Sequence, residues 1–254
     1  MNKLNLPFFS DMEDALLIQR CVRKWLAKRA ILLLNQAIEL FNQQKYMTAR
    51  SMLNKAILLG NFRARAYMAW ILMHTGSDTL MQSDPRYQHA VALVELGTRM
   101  NCGDCEGVLA YCYTVGKGMN GGKMDHNKAW DLATISYAKR SVFGMFALGH
   151  LIKYGLSEKG ISFEQGAKRS VELLQEAKHK GFPDAYKQLI MAYESGFGVP
   201  RDYVAARILL EYLVNKGDGW ACSQLASYYK KGQGVKKNLV KSLELDLMAL
   251  GAGY

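Results

Sequence analysis

The residues best able to do chemistry in this 254-residue chain are five cysteines and five histidines. Cys102-x2-Cys105-x6-Cys112, with His126 further on, has ligand types that suit zinc, which accepts thiolate sulfur and imidazole nitrogen. A second reading treats the same cysteines as small buried hydrophobes, since free Cys packs much as Ala does. The odd cysteine count, with Cys21 and Cys222 completing the set, argues for reduced thiols in a reducing compartment. His74, His89, His126, His150 and His179 lie outside any H-E-x-x-H or triad-like pattern and read as surface or groove residues. No catalytic residue, metal or cofactor is assigned on this basis, and the expectation is a non-enzyme.

The paired glycines Gly116-x-Gly118, Gly196-x-Gly198 and Gly232-x-Gly234 invite a phosphate-loop reading. Such a loop needs a strand before it and a helix N-terminus after it to hold the phosphate. Here each pair follows a helical pattern, where glycine is expected because it tolerates the left-handed conformation that ends a helix. The recurrence of the pair also marks a structural turn.

The elements that carry these residues repeat. Ala185-x3-Leu189-x3-Tyr193-x2-Gly196-x-Gly198-Val199 recurs 36 residues later as Ala221, Leu225, Tyr229, Gly232, Gly234 and Val235. Cys105, Leu109, Tyr113, Gly116 and Gly118 form a third copy, while Gly144, Leu148, Ile152, Gly155 and Arg65, Ala69, Met73, Gly76 are degenerate ones. Small and apolar residues at i, i+4 and i+8 trace one helix face. A second helix follows each turn, opening at Asp125, Ser162, Asp202 and Asn238, good N-caps, and at Arg86 in the first copy. Each unit is therefore a helical hairpin, and the period predicts a stack of them.

The motif A-x3-L-x3-Y-x2-G-x-G-V followed by D-Y-x2-A resembles Sel1-like repeats, relatives of the tetratricopeptide repeat. It is strong at 184–218 and 220–250, fair at 104–142 and weak at 144–182 and 62–101. Residues 31–60 look like a plain tetratricopeptide hairpin, with Ala37, Ala49, Leu53 and Ala56 at matching offsets. The organisation expected is a basic amphipathic capping helix over 1–30, the hairpin over 31–60 and the repeat array over 61–254. The resemblance implies an all-α, right-handed superhelix of about six hairpins that serves as a scaffold or adaptor for a protein partner. Regulatory adaptors, secreted effectors and toxin-immunity proteins are all built this way. Some secreted members carry a disulfide in each repeat, and this chain lacks that pattern.

Charge is the second signal. The formal net charge is +11, and Arg20 to Arg65 holds ten basic residues against one acid, Glu39. Arg20, Lys24 and Lys28 follow i+4 spacing, with Arg23, Arg29, Arg63 and Arg65 extending the patch, while Ile18, Val22, Trp25, Leu26 and Leu33 trace an apolar face. A solvated cap, a dock for an acidic protein, and a nucleic-acid or anionic membrane contact are the competing readings. Lys230, Lys231, Lys236, Lys237 and Lys241 form a smaller basic group, read as a solvated turn. Asp11, Glu13 and Asp14, then Arg20 to Lys24, break any early apolar run, so neither a secretory signal nor a membrane span is read, and the expected location is the cytoplasm.

The resemblance also implies that the first helix of each hairpin lines a concave groove, with positions one and four after its small site facing inward. The groove candidates are then Ile71, His74, Tyr111, Thr114, His150, Lys153, Met191, Glu194, Ser227 and Lys230, with Tyr67, Phe146 and Lys187 beside them. Aromatic anchors among polar groups suit a protein-binding surface. The competing account places some of these aromatics in the core. Trp70 and Ile190 stand where other repeats have Ala110, Gly149 and Ala226, and large side chains there are expected to push neighbouring helices apart.

Overall fold

A computed structural model of the chain describes residues 8–74, 84–116, 123–156 and 160–252, with first-helix side chains from Ala15 onward. Gly76, Gly118 and most of the two longer loops at 76–86 and 116–125 lie outside the described residues. Those residues form helices and no strand: α1 (Phe8–Asn42), α2 (Tyr46–Leu58), α3 (Arg63–His74), α4 (Pro85–Arg99), α5 (Gly103–Val115) and α6 (His126–Ala138), then α7 (Val142–Lys153), α8 (Phe163–His179), α9 (Pro183–Ser195), α10 (Tyr203–Val214), α11 (Gly219–Lys231) and α12 (Leu239–Gly251). Consecutive helices pair into six hairpins, and each hairpin packs on the next to give an all-α superhelix.

The motif residues close these packings. Ala185, Ala221, Cys105 and Gly144 are buried, as are the leucines one turn on. A Cβ at Gly144 would lie 2.5 Å from the Tyr137 backbone N, so only a bare backbone lets α7 approach the end of α6. Cys105 fits because Gly97 of α4 leaves room for its sulfur. Burying each motif leucine contributes about 1.5–3 kcal/mol.

The two glycines of each turn have separate jobs. Gly116, Gly196 and Gly232 are left-handed C-caps at φ of 70°, 77° and 74°. Gly198 and Gly234, at φ of 69° and 63°, lie on the second helix of the preceding hairpin, against the carbonyls of Ala167 and Tyr203. Those two carbonyls are themselves one repeat apart. The turn is then locked by the N-cap residue, whose N–H donates to the motif tyrosine carbonyl: Asp125 to Tyr113 at 3.1 Å, Asp202 to Tyr193 at 2.9 Å and Asn238 to Tyr229 at 2.9 Å.

Asp125, Ser162, Asp202 and Asn238 cap the second helices as their sequence positions suggest, Ser162 through a full capping box with Gln165. The cap of α4 is Asp84, not Arg86. Asp84 accepts from the Arg86 N–H at 2.7 Å, and Pro85 takes the first helical position, where its missing N–H is no loss. A single helix also crosses the boundary expected at residue 30. Leu34, Ala37 and Phe41 of α1 share a core cluster with Ala49, Leu53 and Ala56 of α2, so the capping segment and the first hairpin share α1.

Glycine positions give the sharpest stability test. Gly144→Ala and Gly234→Ala are each expected to lower unfolding free energy in urea by about 3 kcal/mol, from overpacking and, at Gly234, left-handed strain. Gly217→Ala, at φ of 84° with open space around it, should lose only about 1 kcal/mol.

Candidate protein-binding groove

The inner face of the superhelix is built from the first helices α1, α3, α5, α7 and α9. Its aromatics meet. Trp70 of α3 packs on Tyr111 of α5 with ring centroids 4.9 Å apart, on Phe143 and Phe146 of α7 at 5.4 Å, and on Phe182, the N-cap of α9, at 5.2 Å. Phe41 of α1 stacks on Phe182 at 6.0 Å and meets Tyr67 edge-on at 5.3 Å. The Trp70 indole N–H then donates to Asp184 of α9 at 2.7 Å, across 114 residues of sequence. The curl brings the first hairpin against the start of the fifth.

That closure changes the expected groove. Tyr67, Ile71, Thr114, Phe146 and His150 are buried, and Tyr111 is half-buried between Trp70, Phe146 and His150. These residues were expected as an open strip, but the aromatics among them fill the inner face, because tight curvature brings facing rings into contact. Thr114 turns to its own helix and donates to the Ala110 carbonyl. Trp70 projects across the inner face to Asp184, while Ile190 is buried with Ala206 and Leu210. Phe143, Phe182 and Asp184 were missed by the position rule. Asp104, Phe143, Asp184 and Trp220 all stand one residue before the first motif position (Cys105, Gly144, Ala185 and Ala221), and that shared register was the available signal for Phe143 and Asp184.

The remaining candidates stay accessible in part. His74 and Lys230 are exposed, Met191 is 37% exposed, and Lys153, Lys187, Glu194 and Ser227 are half-buried. Lys153 donates to Gln188 at 2.8 Å and lies 3.7 Å from the Met191 sulfur; its burial lowers its pKa. Lys187 pairs with Asp218 at 2.9 Å, and Glu194 accepts from the Tyr228 hydroxyl at 2.8 Å. A strip with a soft apolar centre and charged edges therefore runs from the end of α7 across α9 to α11.

The basic patch divides. Arg20, Arg23, Lys24, Lys28 and Arg29 are all exposed on α1. Arg63 instead holds buried Asp104 at 2.7 Å, with Ser141 donating to the other carboxylate oxygen, and Arg65 is half-buried over Phe62. A buried carboxylate needs such partners, so Arg63 is a structural residue.

The cysteines separate as well. Cys112 lies on the Met73 sulfur at 3.4 Å, and Cys105 reaches the Phe62 carbonyl at 3.4 Å. Cys102, at the N-cap of α5, is lowered to about 7 by the Cys105 thiol and backbone N–H against its own burial, whereas Cys105 is raised. His126 is exposed on the first turn of α6.

No protein-family model matches the chain, and no curated protein matches it. Solved structures do. The geometry is that of a helical-repeat solenoid, and a Sel1 repeat protein from Oxalobacter formigenes matches 87% of this chain and 83% of its own length with a TM-score of 0.54 at 19% identity. The protective antigen c5321 of uropathogenic Escherichia coli, an SLR fold, matches with a TM-score of 0.52 at 22% identity over 91% of this chain, which spans about half (50%) of that one. The immunity protein Pa5087 from Pseudomonas aeruginosa gives 0.47 at 21% identity, covering 76% of this chain and 66% of that one. The chain thus has the Sel1-like repeat fold.

Two substitutions test the closed face. Trp70→Phe keeps a ring but strips Asp184 of its donor, and should lower stability by about 1.5–3 kcal/mol in urea denaturation. His150 is pushed down to about 4 by burial and by Lys153, and its Nδ1 is buried without a hydrogen-bond partner. Unfolded histidine titrates near 6.5, so the unfolded chain takes up the proton first as pH falls. This site's stability is full above about pH 6.5 and declines towards pH 4, by about 3 kcal/mol in total. His150→Phe is expected to flatten that part of the Tm-versus-pH curve; an unchanged slope would place the titration elsewhere.

Proposed function

We propose that the chain is a non-catalytic scaffold that binds a protein partner along the strip formed by Lys153, Met191, Glu194, Ser227 and Lys230. The observation that carries this reading is the contrast on the inner face. Its N-terminal part is filled by its own aromatics, while Met191 stays exposed between charged neighbours. A flexible thioether at the centre of a polar rim suits a protein surface, because it packs on varied shapes while the rim sets orientation. An adaptor, an effector and an immunity protein would each use such a strip, and the partner's identity separates them.

A second reading is nucleic-acid binding through α1, supported by the exposure of Arg20, Arg23, Lys24, Lys28 and Arg29. It requires binding that falls steeply with salt.

Affinity capture from native lysate, with and without nuclease, tests both. The expected result is one stoichiometric protein that survives nuclease and is captured at least ~10-fold less by Met191→Ala/Lys230→Glu, with circular dichroism unchanged. Loss of all captured material after nuclease would support the second reading instead.

A further inference from the structure

The N-terminal part of α1 stands clear of the solenoid. The first buried side chain of the described part is Ala30, and from Ala15 to Arg29 every residue is exposed except half-buried Leu26. Ala15 to Arg29 alone is roughly 22 Å of helix that projects ahead of the first buried side chain. A helix so exposed is expected to be polar all round. This one is not: Ile18 is 63% exposed, Val22 49%, Trp25 56% and Leu32 58%.

Those residues share a stripe with Ala15 and Arg29. The spacing along 15, 18, 22, 25, 29 and 32 alternates three and four, the seam of paired helices. The seam is also symmetric about position 20. Under an antiparallel two-fold there, Ile18 meets Val22 of a second copy and small Ala15 meets bulky Trp25. Arg29, the cation inside the apolar stripe, falls opposite helix position 11, which is an aspartate in the sequence. We propose that the chain forms an antiparallel dimer through this stripe of α1.

Other occupants fit less well. A parallel pairing would set Arg29 against Arg29. On an anionic membrane, Arg20, Arg23 and Lys24 would be turned away from the headgroups, since each lies more than about 100° around the helix from the stripe. In the antiparallel pair those cations remain in water. Pairing some 25 residues of each helix buries on the order of 1,200 Å² in total, the lower end of specific interfaces.

Sedimentation equilibrium of the full chain at up to about 100 μM measures the pairing. A dimer is expected, weakened at least ~10-fold by Val22→Asp and by Arg29→Asp, and restored to within ~3-fold by Asp11→Arg/Arg29→Asp, which exchanges the paired charges. Val22 and Arg29 are exposed, and circular dichroism checks the helicity of all three variants. Cys21, the exposed cysteine, flanks the stripe one position from the two-fold, whereas Cys102, Cys105, Cys112 and Cys222 are buried. A short bis-maleimide should therefore link two chains, and Cys21→Ser should abolish the link. A monomer throughout, or a dimer indifferent to Val22→Asp, would overturn the proposal. So would a monomer that floats with phosphatidylcholine vesicles containing phosphatidylglycerol and loses that binding on Val22→Asp, which would assign the stripe to membranes.

Discussion

The hydrogen bond from Trp70 to Asp184 holds the N-terminal part of this structure in its curled form. In most solenoids a repeat touches only its neighbours, and stability is a sum of local terms. Here α3 reaches α9, and Phe41, Tyr67, Phe143, Phe146 and Phe182 fill the space between them. Among the described residues one large core consequently reaches from Leu34 to Ala192, a smaller one gathers Ala110, Ala129, Ala133, Leu148 and Leu151 between α5, α6 and α7, and a third joins Ile190 to Leu245. The first part behaves as a closed block joined by non-local contacts, and the last hairpins extend it as a simple stack.

Closure makes buried charge a matter of geometry. Asp104 is compensated by Arg63 and Ser141, and Glu106 by Lys139, whose ammonium lies 2.6 and 2.8 Å from the two carboxylate oxygens. Removing one partner would leave a carboxylate stranded in low dielectric, which costs more than the pair itself contributes. The same repeat position supplies Asp104, Phe143, Asp184 and Trp220. At that position, just before the first motif residue, Asp104 binds Arg63 and Ser141, Asp184 accepts from Trp70, and Trp220 lies under Lys187.

The open strip and the projecting helix follow from where closure stops. Beyond Phe182, Trp220 lies under the Lys187 ammonium, and Met191 and its charged neighbours stay accessible. At the other end, α2 has 13 residues against 35 in α1, so it covers α1 only from Ala30 onward.

What the sequence determined by itself is local and periodic. Helix stops at Gly116, Gly196 and Gly232, caps at Asp125, Ser162, Asp202 and Asn238, and the first motif residues Ala185 and Ala221 depend on contacts within a hairpin or with an adjacent one. Those contacts recur at a fixed spacing, so the residues reveal them. Much less of the site was legible. The inner-face register found Tyr67, Tyr111, Phe146 and His150, but their burial, the role of Trp70 and the contributions of Phe182 and Asp184 came from the tertiary structure. Curvature is the sum of small rotations between successive hairpins, and no single motif encodes that sum. A side chain 114 residues away then decides whether a ring faces water or another ring.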